Sequence, residues 1–390
     1  SKLFSTSVLL SPGSDQDDPK RINFINIQNG HTIMSEGYTQ PLLRTGYEYL
    51  MPFKVGKLYC AIAQQDGTVI AKTDKLLTVK YKDGTTETIQ LGNRYGKMEG
   101  STYPHMLVTN LNVDSKFKAS DYLVYNTGFF EPDWLDPSRL IMKFSRTIKV
   151  ALMMTNEVFE DSSAISSKLS EDMATTIIKE KSFIIEFNKN ITGLVPEGTA
   201  VEPNDILFTV LDENTDYNNL SEATIEMLQS LASLSPKAKV KGTLDKYEIR
   251  YNGDPSDMSP SLRKLATRLD KELYEETKGT EVENSTSKVS SEYRVNGKNL
   301  NLDTLELKVF IRYRLTQAIG DKGVFANQMK SVNSQTFNYN INSESGESIE
   351  AIFSFRSILN RIVNSPLLIG TTNRLIKHVS KQVTNIYFNK

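Results

Sequence analysis

Leu305-Glu-Leu-Lys-Val-Phe-Ile-Arg-Tyr-Arg314 sets Leu305, Leu307, Val309 and Ile311 in alternation with Glu306, Lys308, Phe310 and Arg312. A period of two puts the first set on one face of a pleated strand and the second on the other, so the run predicts a strand with one apolar face. Downstream it enters Gly320-Asp-Lys-Gly-Val324, and a second strand is predicted over 349–355. An amphipathic helix carrying Leu375, Ile376, Val379 and Val383 follows over 371–387. Upstream, 278–292 is too polar to build a core and reads as an extended loop. Helical spacing appears at 259–276, and at 219–233 through Leu220, Ile225, Leu228 and Leu231.

Nearer the start, strands dominate. Hairpins are predicted over 59–72, turning at Asp66-Gly67, and over 76–91, turning at Asp83-Gly84. Residues 101–211 continue as strands and hold a faint echo: 118–125 and 202–210 each place a turn ending in Asp (Asp121, Asp205) ahead of an apolar strand, as in small barrel-like modules. The exception is 17–28, where Asp17-Asp18-Pro19 opens a short helix with acids and proline at its favourable end. The fold class is therefore α+β and strand-rich.

At 390 residues the chain has room for two or three domains, and 38% hydrophobic residues can supply their cores. A formal net charge of −1 announces neither a nucleic-acid nor a membrane partner. Its distribution says more: no acid follows Glu350, whereas Arg356, Arg361, Arg374, Lys377, Lys381 and Lys390 do. Conversely, Asp212, Glu213, Asp216, Glu222 and Glu226 share a window free of basic residues. Cys60 stands alone, which excludes an intrachain disulfide and a cysteine-built zinc site and points to a reducing compartment. No run approaches the roughly 18 apolar residues of a membrane span, the first residues lack a secretory signal's apolar core, and the absent initiator Met implies a processed or partial chain.

Conventional catalytic signatures are missing. His31, His105 and His378 are widely separated, and no phosphate loop of the Gly-x-x-x-x-Gly-Lys-Ser/Thr type occurs. The richest segment is Thr147-Ile-Lys-Val-Ala-Leu-Met-Met-Thr-Asn-Glu-Val-Phe-Glu-Asp161, which reads as a buried strand delivering Glu160 and Asp161 to its exit. Arg139, Lys143, Arg146 and Lys149 lie just upstream, so acids and bases would gather where phosphates and metal ions meet. Asp15-Gln-Asp17-Asp18 superficially forms a second carboxylate cluster, the basis of a minor reading as a metal nuclease.

Taken in order, short blocks of this chain resemble the β subunit of multisubunit DNA-directed RNA polymerases. Asp17-Asp18-Pro-Lys-Arg21 and Gln40-Pro-Leu-Leu-Arg-Thr-Gly-Tyr-Glu48 resemble its Asp-Asp-x-x-Arg and Pro-Leu-x-x-Thr-Gly-x-Glu blocks. Val150-Ala through Phe159-Glu-Asp161, Gly320-Asp-Lys-Gly-Val324 and 349–370 are similar to three more. The drift of Gly-rich and aromatic positions resembles the split polymerases of large-genome bacteriophages.

That resemblance implies a double-ψ β-barrel with an inserted flap-like segment. It divides the chain into a β-rich segment with a nucleotide-facing helix and hairpins (1–100), the first part of the barrel and hybrid-binding region (101–212), the flap-like insertion (213–304) and the second part of the barrel (305–390). It implies Arg21 and Arg361 as triphosphate contacts, because a planar guanidinium binds phosphate as a fork. Lys322 would stand beside the RNA 3′ end, Arg314 would replace a second lysine, and Glu160 and Asp161 would tune the centre or touch a second metal. Gly30-His31 replaces an expected Arg-Gln pair, and the Pro and Met around Arg361 are absent.

The three-aspartate loop that binds catalytic Mg2+ in β′ is also absent. The chain is thus expected to be an enzyme subunit inactive alone, with Mg2+ held by a β′-like partner. Remaining β fragments, a promoter-specificity subunit, DNA template, RNA and NTPs complete the expected partners, with no membrane. The setting implied is the cytoplasm of an infected bacterial host, or the virion. The competing reading is a noncatalytic, strand-rich viral assembly or nucleic-acid-binding protein.

Overall fold

A computed structural model describes residues 4–98, 100–212 and 236–388. The expected helix at 219–233 and nearly all of the acidic window lie outside the described residues. Strand outweighs helix, 35% to 23%, in an α+β arrangement of several sheets. None closes into a barrel among the described residues.

The strand Thr304–Leu315 lies inside the largest sheet, between Thr175–Glu186 and Gly242–Asn252, both antiparallel to it. Leu305, Leu307 and Val309 are fully buried, and they pack with Ile185, Tyr247, Ile249 and the helix residues Leu262, Leu265 and Leu269. Burying each such side chain contributes about 1.5–3 kcal/mol. The alternating polar face is also covered. Phe310 is stacked on Tyr95 with centroids 5.0 Å apart, and buried Glu306 accepts a 2.8 Å hydrogen bond from the Tyr293 hydroxyl. The remaining strands of this sheet come from the first two expected segments: Cys60–Ile62, Gly92–Met98, Ser101–Val108 and Tyr122–Asn126 on one side, Ala200–Val201 on the other.

Most local expectations hold. Leu76–Tyr81 and Thr86–Gln90 form the hairpin turning at Asp83-Gly84, with Gly84 at φ +91°. The helix Pro19–Gly30 starts where Asp18 accepts from the Lys20 amide. The helix Pro260–Thr277 matches the 259–276 periodicity. The 59–72 hairpin does not form: Cys60–Ile62 pairs with Tyr122–Asn126, while Gly67–Lys72 pairs with Leu76–Tyr81. Asp66 instead accepts from the Ala119 amide and pairs with Lys82, so the Asp-Gly signal marks a tie between loops.

The echo is real at the level of the turn. Lys118 and Glu202 amides donate to Asp121 and Asp205 at 2.8 and 2.7 Å, and Ser120 and Asn204 take φ of +75° and +78°. Their strands then join different sheets.

A second, mixed sheet has the order Val150–Leu152, Ala351–Phe353, Ser162–Ser166, Met329–Phe337, Lys322–Phe325. Its first and third pairings are parallel, its second and fourth antiparallel. Segments far apart in the chain therefore interleave here. Phe325 and Phe353 stack at 4.7 Å in its core.

One carboxylate ties this sheet's helices together. Buried Asp17 accepts from the Asn364 amide at 2.9 Å, the Ser365 amide at 3.1 Å, the Ser365 hydroxyl and Gln328 Nε2 at 2.7 Å. It caps the helix Ser365–Phe388 from 348 positions away. Charge-assisted hydrogen bonds of this kind are worth about 1.5–3 kcal/mol, and a buried donor left unpaired costs about 1–3 kcal/mol. Asp17→Ala is expected to lower unfolding stability by about 3 kcal/mol in urea titration.

His105 is buried between Tyr59 and Phe129, with its Nδ1 2.8 Å from Asn126 Nδ2. Burial pushes its pKa below the ordinary 6.5. The unfolded chain then takes up a proton first, so this contribution is complete above about pH 6.5 and drains as pH falls through the folded value. Wild type is expected to lose more stability than His105→Gln between pH 7.5 and 5.5, measured by urea unfolding at each pH.

Candidate phosphate-binding pocket

Val150–Leu152 is short and only half-buried, and Leu152, Met153, Met154 and Phe159 are exposed. Glu160 and Asp161 thus leave from a loop ahead of the strand Ser162–Ser166 rather than from the exit of a buried strand. Val158 alone in this loop is fully buried and anchors it. Asp161 takes a left-handed φ of +53°, its amide donates to Ser357 Oγ at 3.1 Å, and its carbonyl accepts from the Val332 amide at 2.9 Å. Its side chain does not cap the following turn; the Phe159 amide donates to Ser162 Oγ instead.

Facing this loop is the helix Phe355–Arg361, which follows the strand Ala351–Phe353 directly. Arg361 donates through one nitrogen to Asp161 and through another to the Ser357 carbonyl at 3.1 Å. Glu160 accepts from Asn360 Nδ2 at 2.6 Å and pairs with Arg356 Nε at 2.9 Å. Arg356 also lies over the Phe159 ring at 4.9 Å. Arg21, on the Asp18-capped helix, completes the wall. Arg21, Glu160, Asp161, Ser357, Asn360 and Arg361 together line a pocket of about 220 Å³.

Arg21 pairs with neither neighbouring acid, because Asp17 is spent on Ser365 and Asp18 on its helix start. Its guanidinium rests over Phe24, 5.3 Å from the ring centroid. Three guanidiniums thus meet two carboxylates, both more than two-fifths exposed. The Arg356–Glu160 pair, open on both sides, is worth no more than about 1 kcal/mol, and Arg21 has no carboxylate to release, so an incoming phosphate can compete for these two at small cost; Arg361 is more covered and more firmly held. The two carboxylates do not fit a resident metal ion by themselves. Each already holds a guanidinium, and no group of three metal-ligating side chains occurs among the described residues. A cation here would need ligands from another chain.

The other expected residues fall into two groups. Lys322 is exposed at the start of its strand, opposite Val332, which in turn is opposite Ser162. Two strand spacings of about 4.8 Å put it roughly 10 Å from Ser162, beside the pocket rather than in it. Arg314 lies elsewhere, committed to Glu36 at 2.8 Å and to the Glu171 carboxylate and carbonyl at 2.7 and 2.8 Å. These bonds raise its pKa further.

The upstream bases do not gather at Glu160 and Asp161 either. Arg146 pairs with Asp172 and Glu350, Lys149 with Glu347, Lys143 with Glu131, and Arg139 lies over Tyr49. Each has a nearer acid or ring supplied by the fold, which adjacency in sequence does not show. Asp15, Asp17 and Asp18 likewise serve separate tasks, Asp15 accepting from Gln16, so no metal cluster forms there. The Thr45-Gly-Tyr-Glu48 block is a closed turn: buried Glu48 accepts from the Thr45 and Gly46 amides at 3.0 and 2.8 Å.

Sequence reasoning missed Arg356, Ser357 and Asn360 as partners of the carboxylate pair. Their positions at i, i+1, i+4 and i+5 with Arg361 place all four on neighbouring turns of one short helix, the available clue. No protein-family model matches the chain, and no curated protein is significantly similar to it.

Ile362 ends the short helix at φ +52° with its side chain 84% exposed. A β-branched residue in this region is strained by about 1–2 kcal/mol, relieved by glycine at some cost in chain entropy. Ile362→Gly is expected to raise stability by about 1 kcal/mol in chemical denaturation.

Proposed function

We propose that the chain is a β-like subunit of a DNA-directed RNA polymerase divided among several chains, of the type found in large-genome bacteriophages. One observation carries the proposal. Arg21, Glu160, Asp161 and Arg361, singled out from three separate blocks by resemblance to that family, line one small pocket. Chance placement would scatter them, as it does the basic residues at 139–149.

In this role Arg21 and Arg361 hold phosphates of the incoming nucleotide. Fixed cations aimed at a triphosphate stabilise charge that develops as the leaving group departs. Asp161 keeps Arg361, and Glu160 keeps the neighbouring Arg356, extended and aimed until substrate arrives, then both order the surrounding water. Mg2+ would supply charge neutralisation on the reacting oxygens, held mainly by a β′-like chain. Lys322, two strand spacings away, is within reach of a longer ligand such as the RNA end or the hybrid. The mixed sheet, with parallel pairs between 150–166 and 329–353, supplies the interleaving that a double-ψ barrel requires, and closure of that barrel is part of the proposal. The chain alone has no nucleotidyltransferase activity; β′-like chains, other β fragments, template and NTPs complete it. No helix among the described residues is long and apolar enough to cross a bilayer.

Template-directed RNA synthesis by the assembly purified with this chain provides the test. Arg21→Ala combined with Arg361→Ala is expected to lower kcat/KM for nucleotides by about 100-fold or more, with assembly intact by size-exclusion chromatography. Wild-type kinetics in the double variant would overturn the nucleotide-contact assignment.

A further inference from the structure

A shallow, open concavity of about 540 Å³ lies away from the pocket and shares no residue with it. Its lining is Pro260, Arg263, Lys264, Thr267, Arg268 and Lys271, all on the first three turns of the helix Pro260–Thr277. The opposite face of that helix is buried through Leu262, Leu265, Ala266 and Leu269, which fixes the cationic face outward. We propose that this face binds the phosphate backbone of a nucleic-acid strand.

Four of the six lining residues are cationic, and none is acidic. Arg263 donates only to uncharged carbonyls, those of Pro255, Ser256 and Met258, so its charge is not cancelled. Arg268 is partly offset by Glu272 at 4.0 Å and by the nearby Glu197. Lys264 and Lys271 have no carboxylate partner among the described residues and are exposed.

Lys264 and Lys271 are separated by about 10.5 Å of helix rise. That matches about three phosphate-to-phosphate steps of ~3.4 Å axial rise along one strand. None of the helix's large apolar side chains is exposed. A membrane surface or an apolar protein groove would need such an anchor, whereas a polyanion needs only the charges. The proposal does not rest on the pocket's assignment.

Fluorescence anisotropy with a labelled 20-nucleotide single-stranded RNA and a 20-base-pair DNA duplex, titrated across salt, tests it. The variant Lys264→Glu with Lys271→Glu is compared with Lys116→Glu with Lys298→Glu, an equal change of net charge at exposed positions elsewhere. The first is expected to weaken binding at least tenfold and to reduce the slope of log affinity against log salt by about 1.4 for single strands. The control is expected to change both far less.

Preference for one probe tells which strand form the surface takes. No binding by wild type, equal loss in both variants, or equal affinity of wild type for anionic phospholipid vesicles would overturn the proposal. Helical circular dichroism of the variants checks folding. Unchanged RNA binding in the Arg21→Ala, Arg361→Ala variant would leave this surface standing whatever happens to the pocket.

Discussion

The carboxylate of Asp17 is the constraint on which the candidate site depends. It accepts from two backbone amides and a hydroxyl at residues 364 and 365 and from Gln328. Those bonds set the helix that begins at Pro19 against the turn between the helices Phe355–Arg361 and Ser365–Phe388. Arg21 can face Arg361 only because its own helix is pinned there. Remove the carboxylate and three buried donors lose their partner at once, with nothing apolar to replace them.

The rest of the site follows from the mixed sheet. Parallel pairing of Ser162–Ser166 with Met329–Phe337, and of Val150–Leu152 with Ala351–Phe353, fixes the register between the acid-bearing loop and the arginine-bearing helix. Within that frame the loop is shaped by backbone contacts, and the side chains of Glu160 and Asp161 remain free to meet guanidiniums. The strongest fixed bonds are thus to the backbone, and the solvent-exposed ion pairs are the weakest part of the assembly.

Much of the fold is legible in the residues. Alternation over 305–314 gives the central strand, Asp18-Pro19 gives the first helix, and Asp83-Gly84 gives its hairpin. Illegible were features decided by distant partners: Asp66-Gly67 looks like a hairpin turn, but loops elsewhere claim Asp66. Glu306 and Phe310 look solvent-facing until Tyr293 and Tyr95 cover them. At the site, four of the expected residues line one pocket and Lys322 borders it, while Arg314 is held by Glu36 and Glu171. Charges adjacent in sequence were the poorest guide, since each of Lys143, Arg146 and Lys149 finds an acid brought close by folding.

The long reach of Asp17 also has a temporal side. A ribosome delivers Arg21 long before residues 361–365, so until those emerge the first helix has no anchor and the pocket has one wall. Long-range closures of this kind come late, because loop entropy opposes them until both ends are present. The two walls of the pocket would therefore meet late in folding. Until then Arg21 would stand on an unanchored helix, without the framework that faces it.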